Sequence, residues 1–114
     1  MADCLFCKIA VGSIPSERVE ETERVLAFRD INPAAPTHVL LIPKEHVADS
    51  AAQIRSEHGE MLAELFELAA RIAEDEHLAD GWRLVTNVGA GAGQSVFHLH
   101  MHLLGGRPFG WPPG

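Results

Sequence analysis

His98, His100 and His102 alternate with Phe97, Leu99, Met101 and Leu103 near the C-terminal end of the chain. Read as a strand, the stretch puts three imidazoles on one face and four apolar side chains on the other, because successive strand side chains point to opposite sides. A packed face would carry Val, Ile or Leu, and an uncompensated imidazole cluster is costly to bury, so the histidine face reads as functional. Two chemistries suit it. A neutral imidazole offers a nucleophilic nitrogen, or three imidazoles hold a catalytic metal with an open position for water. The plain alternative is an exposed sheet face on which histidine is tolerated. Just ahead lie Gln94 and Ser95, an amide and a hydroxyl. Before them comes Asn87 and then Gly89-Ala90-Gly91-Ala92-Gly93, where missing Cβ atoms would let backbone N–H groups approach an anion.

The elements that must position these residues are legible in outline. A short helix over Cys4–Ala10, capped by Asp3, is ended by Gly12 and Pro15. Strand-like runs fill Arg18 to Asp30, clearest at Val25–Phe28; Asn32-Pro33 and Pro36 break them, and Thr37–Ile42 follows and stops at Pro43. Between Ser56 and Asp80 the apolar residues Leu62, Leu65, Phe66, Ala69, Ile72 and Ala73 recur at helical spacing, predicting one long helix terminated by Gly81. Trp82–Val88 reads as a strand, and the tail from Arg107 to Gly114 holds too much proline and glycine to be regular. The expectation is one α+β domain over residues 1–114, built on an antiparallel sheet.

With 114 residues the chain can bury roughly two thirds of the surface it exposes when unfolded, enough for one core and too little for two. Hydrophobic residues make up 46%, charged residues 22%, and no stretch approaches the ~18 apolar residues of a membrane span, so no membrane role is expected. The formal net charge of −7, with acids clustered in Glu17–Glu23 and Glu57–Asp80, repels nucleic-acid backbones. A phosphate ligand would therefore need a locally attractive pocket. No basic, apolar leader pattern opens the chain, and two cysteines three positions apart suit a metal or a reduced state better than a disulfide framework, so the expected compartment is the cytoplasm.

Gln94-Ser95-Val96-Phe97-His98-Leu99-His100-Met101-His102-Leu103-Leu104 resembles the signature of the histidine-triad (HIT) superfamily. The similarity extends over Ala27–Ile31, Pro36–His46 and the terminal Trp111-Pro112-Pro113-Gly114, and points to the Hint branch. It implies the HIT fold, a five-stranded antiparallel sheet with one long and one short helix, and a homodimer forming one continuous sheet. It also implies hydrolysis of purine nucleoside 5′-phosphoramidates, AMP or GMP joined to an amine, through a covalent nucleotidyl-histidine. In that scheme His100 is the nucleophile, and His102, Gln94 and Ser95 serve the phosphoryl group. Ser95 also assists the leaving amine, while His98 and His38 complete the catalytic set. Asp30 holds the ribose; Leu5, Phe6, Ile9, Phe28 and Ile31 wall the base; Asn87 and Gly93 border the phosphate, and Trp111 reaches toward the pocket of the partner subunit and shapes which leaving group is accepted.

The same resemblance suggests structural zinc on Cys4, Cys7, His46 and His98, four ligands of the right types. The chain combines this cysteine pair with a short Trp-Pro-Pro-Gly tail, whereas zinc-bearing relatives usually have a different, longer tail. Within the superfamily, the alternative substrate is a dinucleoside polyphosphate, and the alternative to an enzyme is a nucleotide-binding scaffold. His58 and His77 read as ordinary surface residues.

Overall fold

The computed structural model describes residues 4–114, so the expected cap at Asp3 lies outside the described residues. Within them Cys4 is the N-cap: its Sγ accepts the Cys7 N–H at 3.3 Å and opens helix α1, Leu5–Ala10. The Arg18 guanidinium donates to the Ile9 carbonyl at 2.8 Å, satisfying one orphan carbonyl at the other end.

Five strands form one antiparallel sheet: β1 (Arg18–Glu21), β2 (Val25–Arg29), β3 (Thr37–Pro43), β4 (Trp82–Val85) and β5 (Met101–Gly105), in the order β1-β2-β3-β5-β4. Helix α2, Gly59–Asp75, covers one face. Its Met61, Leu65, Leu68, Ala69 and Ile72 pack on Val25, Ala27, Val39, Leu41 and Leu103. Helix α1 covers part of the other face, where Phe6 and Ile9 meet Leu26, Phe28, Leu40 and Ile42. This double cover explains why β3 is buried along its whole length instead of alternating. An α+β architecture on a five-stranded antiparallel sheet, with one long and one short helix, is what the sequence predicts and what the chain adopts.

Three boundaries differ from expectation. The buried stripe of α2 runs through Met61 and Leu68, while Phe66 is 50% exposed. The helix ends at Asp75 rather than at Gly81: His77 takes the left-handed conformation (φ 60°), Leu78 N–H returns to the Ala73 carbonyl at 2.9 Å and His77 N–H to Glu74 at 3.1 Å. That pair of bonds is a Schellman closure, and Leu78 is buried beneath it. Strand β4 stops at Val85, three residues short, and the final strand starts at Met101 rather than at Phe97. The residues before it leave the ladder: Leu99 N–H donates to the Ala48 carbonyl at 2.9 Å, and Thr86 Oγ1 donates to the His100 carbonyl at 2.8 Å.

Candidate functional site

Because β5 begins only at Met101, the three histidines do not share one strand face. His98 and His100 lie on the irregular approach, His102 on the strand itself, and their rings go to different partners. His102 stands opposite Leu40 of β3, which places it on the sheet face that α1 covers. The ring of Phe6 on α1 meets that of His100 edge-to-face at 4.9 Å, and the rings of His100 and His102 are 5.1 Å apart.

His100 is buried, and its Nδ1 donates to the carbonyl of His98 at 2.8 Å. A carbonyl accepts only, so this bond fixes the neutral ring with its proton on Nδ1 and the lone pair on Nε2. The same carbonyl would stabilise the positive charge the ring acquires once Nε2 is bonded to an electrophile.

A second chain of bonds fixes His102. The Ala34 N–H donates to His38 Nδ1 at 2.9 Å, so His38 carries its proton on Nε2. That nitrogen donates to His102 Nδ1 at 2.8 Å, with Asp30 Oδ2 as a longer neighbour at 3.4 Å. Neutral His102 is left with an Nε2–H. Burial, then the neighbouring His100 and His38, pushes its pKa down to about 4, and burial also lowers His38 against the pull of Asp30. His102 is therefore a neutral donor at pH 7.

The loop residues divide. The buried side chain of Gln94 accepts the Gly89 N–H at 2.9 Å and donates to the carbonyls of Asp49 at 2.7 Å and Val96 at 3.1 Å. Its amide thus closes the glycine loop, with Oε1 and Nε2 both bonded to backbone groups. The N–H groups of Gly89, Ala92, Gly93 and Gln94 all bond within this loop, so the cradle of loop N–H groups expected from the glycines is not formed by these four. Gly93 is needed for another reason: its φ is 98°, and it lies beside Asn87 Nδ2. Ser95 is exposed at the loop exit. Of the apolar wall, Phe6, Ile9 and Phe28 are buried core, whereas Leu5 is exposed and Ile31 is 91% exposed. Asp30 accepts the Asn32 N–H on Oδ1 at 2.8 Å, and Trp111 is 83% exposed at the end of a tail held by Arg83 bonding to the Gly110 carbonyl.

Cys4, Cys7, His46 and His98 come together with their ligand atoms all within 4.8 Å of one another. His98 Nδ1 is 3.2 Å from Cys4 Sγ and 3.5 Å from Cys7 Sγ, and His46 Nδ1 is 3.8 Å from Cys7 Sγ. Sulfur and nitrogen ligands around tetrahedral zinc lie about 3.6 Å apart, so the set fits that ion. The outer bonds agree: His98 Nε2 donates to the Pro43 carbonyl at 2.8 Å and His46 Nε2 meets Asp49 Oδ1 at 2.6 Å, which leaves both Nδ1 lone pairs facing the thiols. The catalytic site of three histidines on one metal does not form: His98 belongs to this cluster, His102 to a group with Asp30 and His38, and His100 to neither. In that second group the His38 Nε2 proton occupies the nitrogen a metal would need.

Sequence reasoning missed Asp49, which orients His46 with its side chain and Gln94 with its carbonyl. The His46-x-x-Asp49 spacing was a usable signal. It also missed the Pro43 carbonyl and the Ala34 N–H, backbone groups with no signature of their own.

Residues 11–109 match the family model described as HIT domain. The purine nucleoside phosphoramidase of Escherichia coli strain K12 is 46% identical over 109 residues, 95% of this chain and 91% of that protein. A 14 kDa zinc-binding protein of Zea mays is 50% identical over 111 residues, covering 96% and 87%. The crystal structure of a HIT family hydrolase from Legionella pneumophila Philadelphia 1 superposes with a TM-score of 0.94 at 51% identity, covering 98% of this chain and all of that one. With the family model spanning most of its length and relatives this similar, the chain belongs to the HIT domain family.

Proposed function

We propose that this protein hydrolyses purine nucleoside 5′-phosphoramidates by double displacement at His100. The observation that carries the reading is the bond from His100 Nδ1 to the His98 carbonyl, which leaves Nε2 unprotonated beside a neutral His102. Similarity to the Escherichia coli phosphoramidase supplies the substrate class.

In the first step Nε2 of His100 bonds to the α-phosphorus as the phosphorus–nitrogen bond breaks, and the amine leaves with a proton that Ser95 helps deliver. The resulting imidazolium keeps its Nδ1–H on the His98 carbonyl. Water then attacks the phosphorus and releases a proton to solvent as the histidine–phosphorus bond breaks, leaving neutral His100 and a nucleoside monophosphate. The Nε2–H of His102 stabilises charge on the phosphoryl oxygens in both steps. Asp30 holds ribose hydroxyls, and Asn87 borders the phosphate.

Cys4, Cys7, His46 and His98 would hold zinc, consistent with the name of the maize relative and with a reducing, cytoplasmic setting. Four protein ligands leave no open position, so the ion would supply a cross-link and no chemistry at the substrate. Among the described residues no strand pairs with the outer edge of β4, and a second copy pairing there would give the homodimer of the proposal its seam.

The test is a comparison of kcat/KM for an adenosine 5′-phosphoramidate, its guanosine counterpart and a diadenosine polyphosphate. The proposal expects both phosphoramidates to turn over faster than the polyphosphate by about two orders of magnitude. A faster polyphosphate would move the assignment to that substrate. Tight AMP binding without turnover of any of the three would make the protein a nucleotide-binding scaffold.

A further inference from the structure

Two threads run from the thiol–imidazole cluster to the ring of His100. The first is His98. Its Nδ1 faces Cys4 and Cys7 at 3.2 and 3.5 Å, its Nε2 is bonded to the Pro43 carbonyl, and its own carbonyl receives the His100 Nδ1–H. The residue is fully buried, so ring and backbone move together. The second is Phe6, which lies between the two cysteines in sequence and stands edge-on to His100 at 4.9 Å and to His98 at 5.9 Å. Helix α1, with six residues, is far too short to hold its place by its own hydrogen bonds. Its position depends on the Cys4 cap, the Arg18 bond and what it packs against.

We propose that occupancy of the Cys4–Cys7–His46–His98 set by a divalent metal ion fixes the tautomer and aim of His100, with His98 as the positioning residue between them. The inference rests on the reading of His100 as nucleophile and deepens it. Once the ligand cross-link is broken, α1 is held less firmly and the His98 ring keeps only its bond to the Pro43 carbonyl, so residue and ring can shift together. Its carbonyl then drifts from His100 Nδ1. A neutral imidazole without a fixed acceptor divides between two tautomers, one of which has a proton where the nucleophilic lone pair must be. The covalent intermediate also loses the acceptor for its positive charge. A metal acting only as a stability clip would do none of this.

The experiment uses the full chain labelled with ¹⁵N-histidine, its metal content measured before and after chelation and after reloading with zinc. The His100 Nδ1–H resonance, identified by its absence in His100→Gly, reports the tautomer directly. In loaded protein we expect this proton to be protected from exchange. In stripped protein held well below its Tm it exchanges at least about tenfold faster, kcat for the phosphoramidate falls about 10- to 100-fold with KM nearly unchanged, and zinc restores both. A stripped, folded protein that keeps the protected proton and only melts earlier overturns the coupling and leaves the His100 reading intact. A chain that takes up no zinc overturns both the coupling and the metal assignment. Should stripping unfold the protein, Cys7→Ser provides a graded version: its protected fraction should track zinc occupancy, and a proton equally protected at zero occupancy contradicts the proposal.

Discussion

His102 shows how burial prepares a group for one task. An unfolded chain leaves this histidine near 6.5, and the folded site pushes it down to about 4, first by desolvation and then by the neighbouring imidazoles of His100 and His38. The unfolded chain therefore binds more protons across that window, so the contribution to stability is complete above about pH 6.5 and is lost as pH falls toward 4. His38, lowered in the same direction, adds to it. We expect a loss of roughly 1 to 3 kcal/mol between pH 7.5 and 4.5, seen as a lower Tm in calorimetry and diminished in His102→Gln. An equal pH dependence in the two proteins would contradict the assignment. At the same scale, His38→Ala removes the donor to His102 Nδ1 and unfixes its tautomer. Activity should drop about 10- to 100-fold, the equivalent of one orphaned buried partner, and an unchanged rate would show that His102 needs no such partner. The residues of this site were legible because alternating histidines beside Gln94-Ser95 have few other uses. Their separate duties were not, since the partners that assign them are a carbonyl of Pro43, an N–H of Ala34 and two cysteines more than ninety positions away.

At the scale of elements, the sheet and both helices follow from hydrophobic spacing, and the errors cluster where a backbone group finds a partner outside its own element. The segment from Phe97 to His100 has the alternation of a strand, yet β4 ends at Val85 and the pairing with β3 ends at Leu41–Met101. Its polar groups bond to Ala48, Pro43 and Thr86 instead. The end of α2 was misplaced because glycine is the usual left-handed residue, and here histidine holds that conformation under the constraint of the buried Leu78. His77→Gly should relieve this strain and stabilise the protein by roughly 0.5 to 1 kcal/mol in urea unfolding, with unchanged turnover. A destabilised variant would mean that the His77 side chain contributes more than its backbone costs. In the same helix, Leu65→Ala opens a hole in a fully buried position and should cost about 2 to 5 kcal/mol.

For the whole molecule, a net charge of −7 is compatible with the anionic substrate proposed, because the attraction would be local: neutral donors and the tautomer-locked ring of His100 on the α1 face of the sheet. Composition alone disfavours nucleic acid, and among the described residues no helix is long and apolar enough to cross a membrane. The tail carries an exposed Trp111, and Arg83 and Arg107 stack on Phe109. Removal of residues 110–114 should shift the ranking of leaving groups more than it shifts Tm; an equal loss of Tm and of every activity would show the tail to be structural. The most direct test of the whole account is intact-protein mass spectrometry after brief mixing with an adenosine 5′-phosphoramidate bearing a fluorescent amine, on the native chain and on His100→Gly. A transient gain of one adenylyl group in the native chain alone, matched by a burst of amine, is the predicted result, whereas amine release with no adduct, or an adduct that persists in His100→Gly, would contradict nucleophilic catalysis at His100.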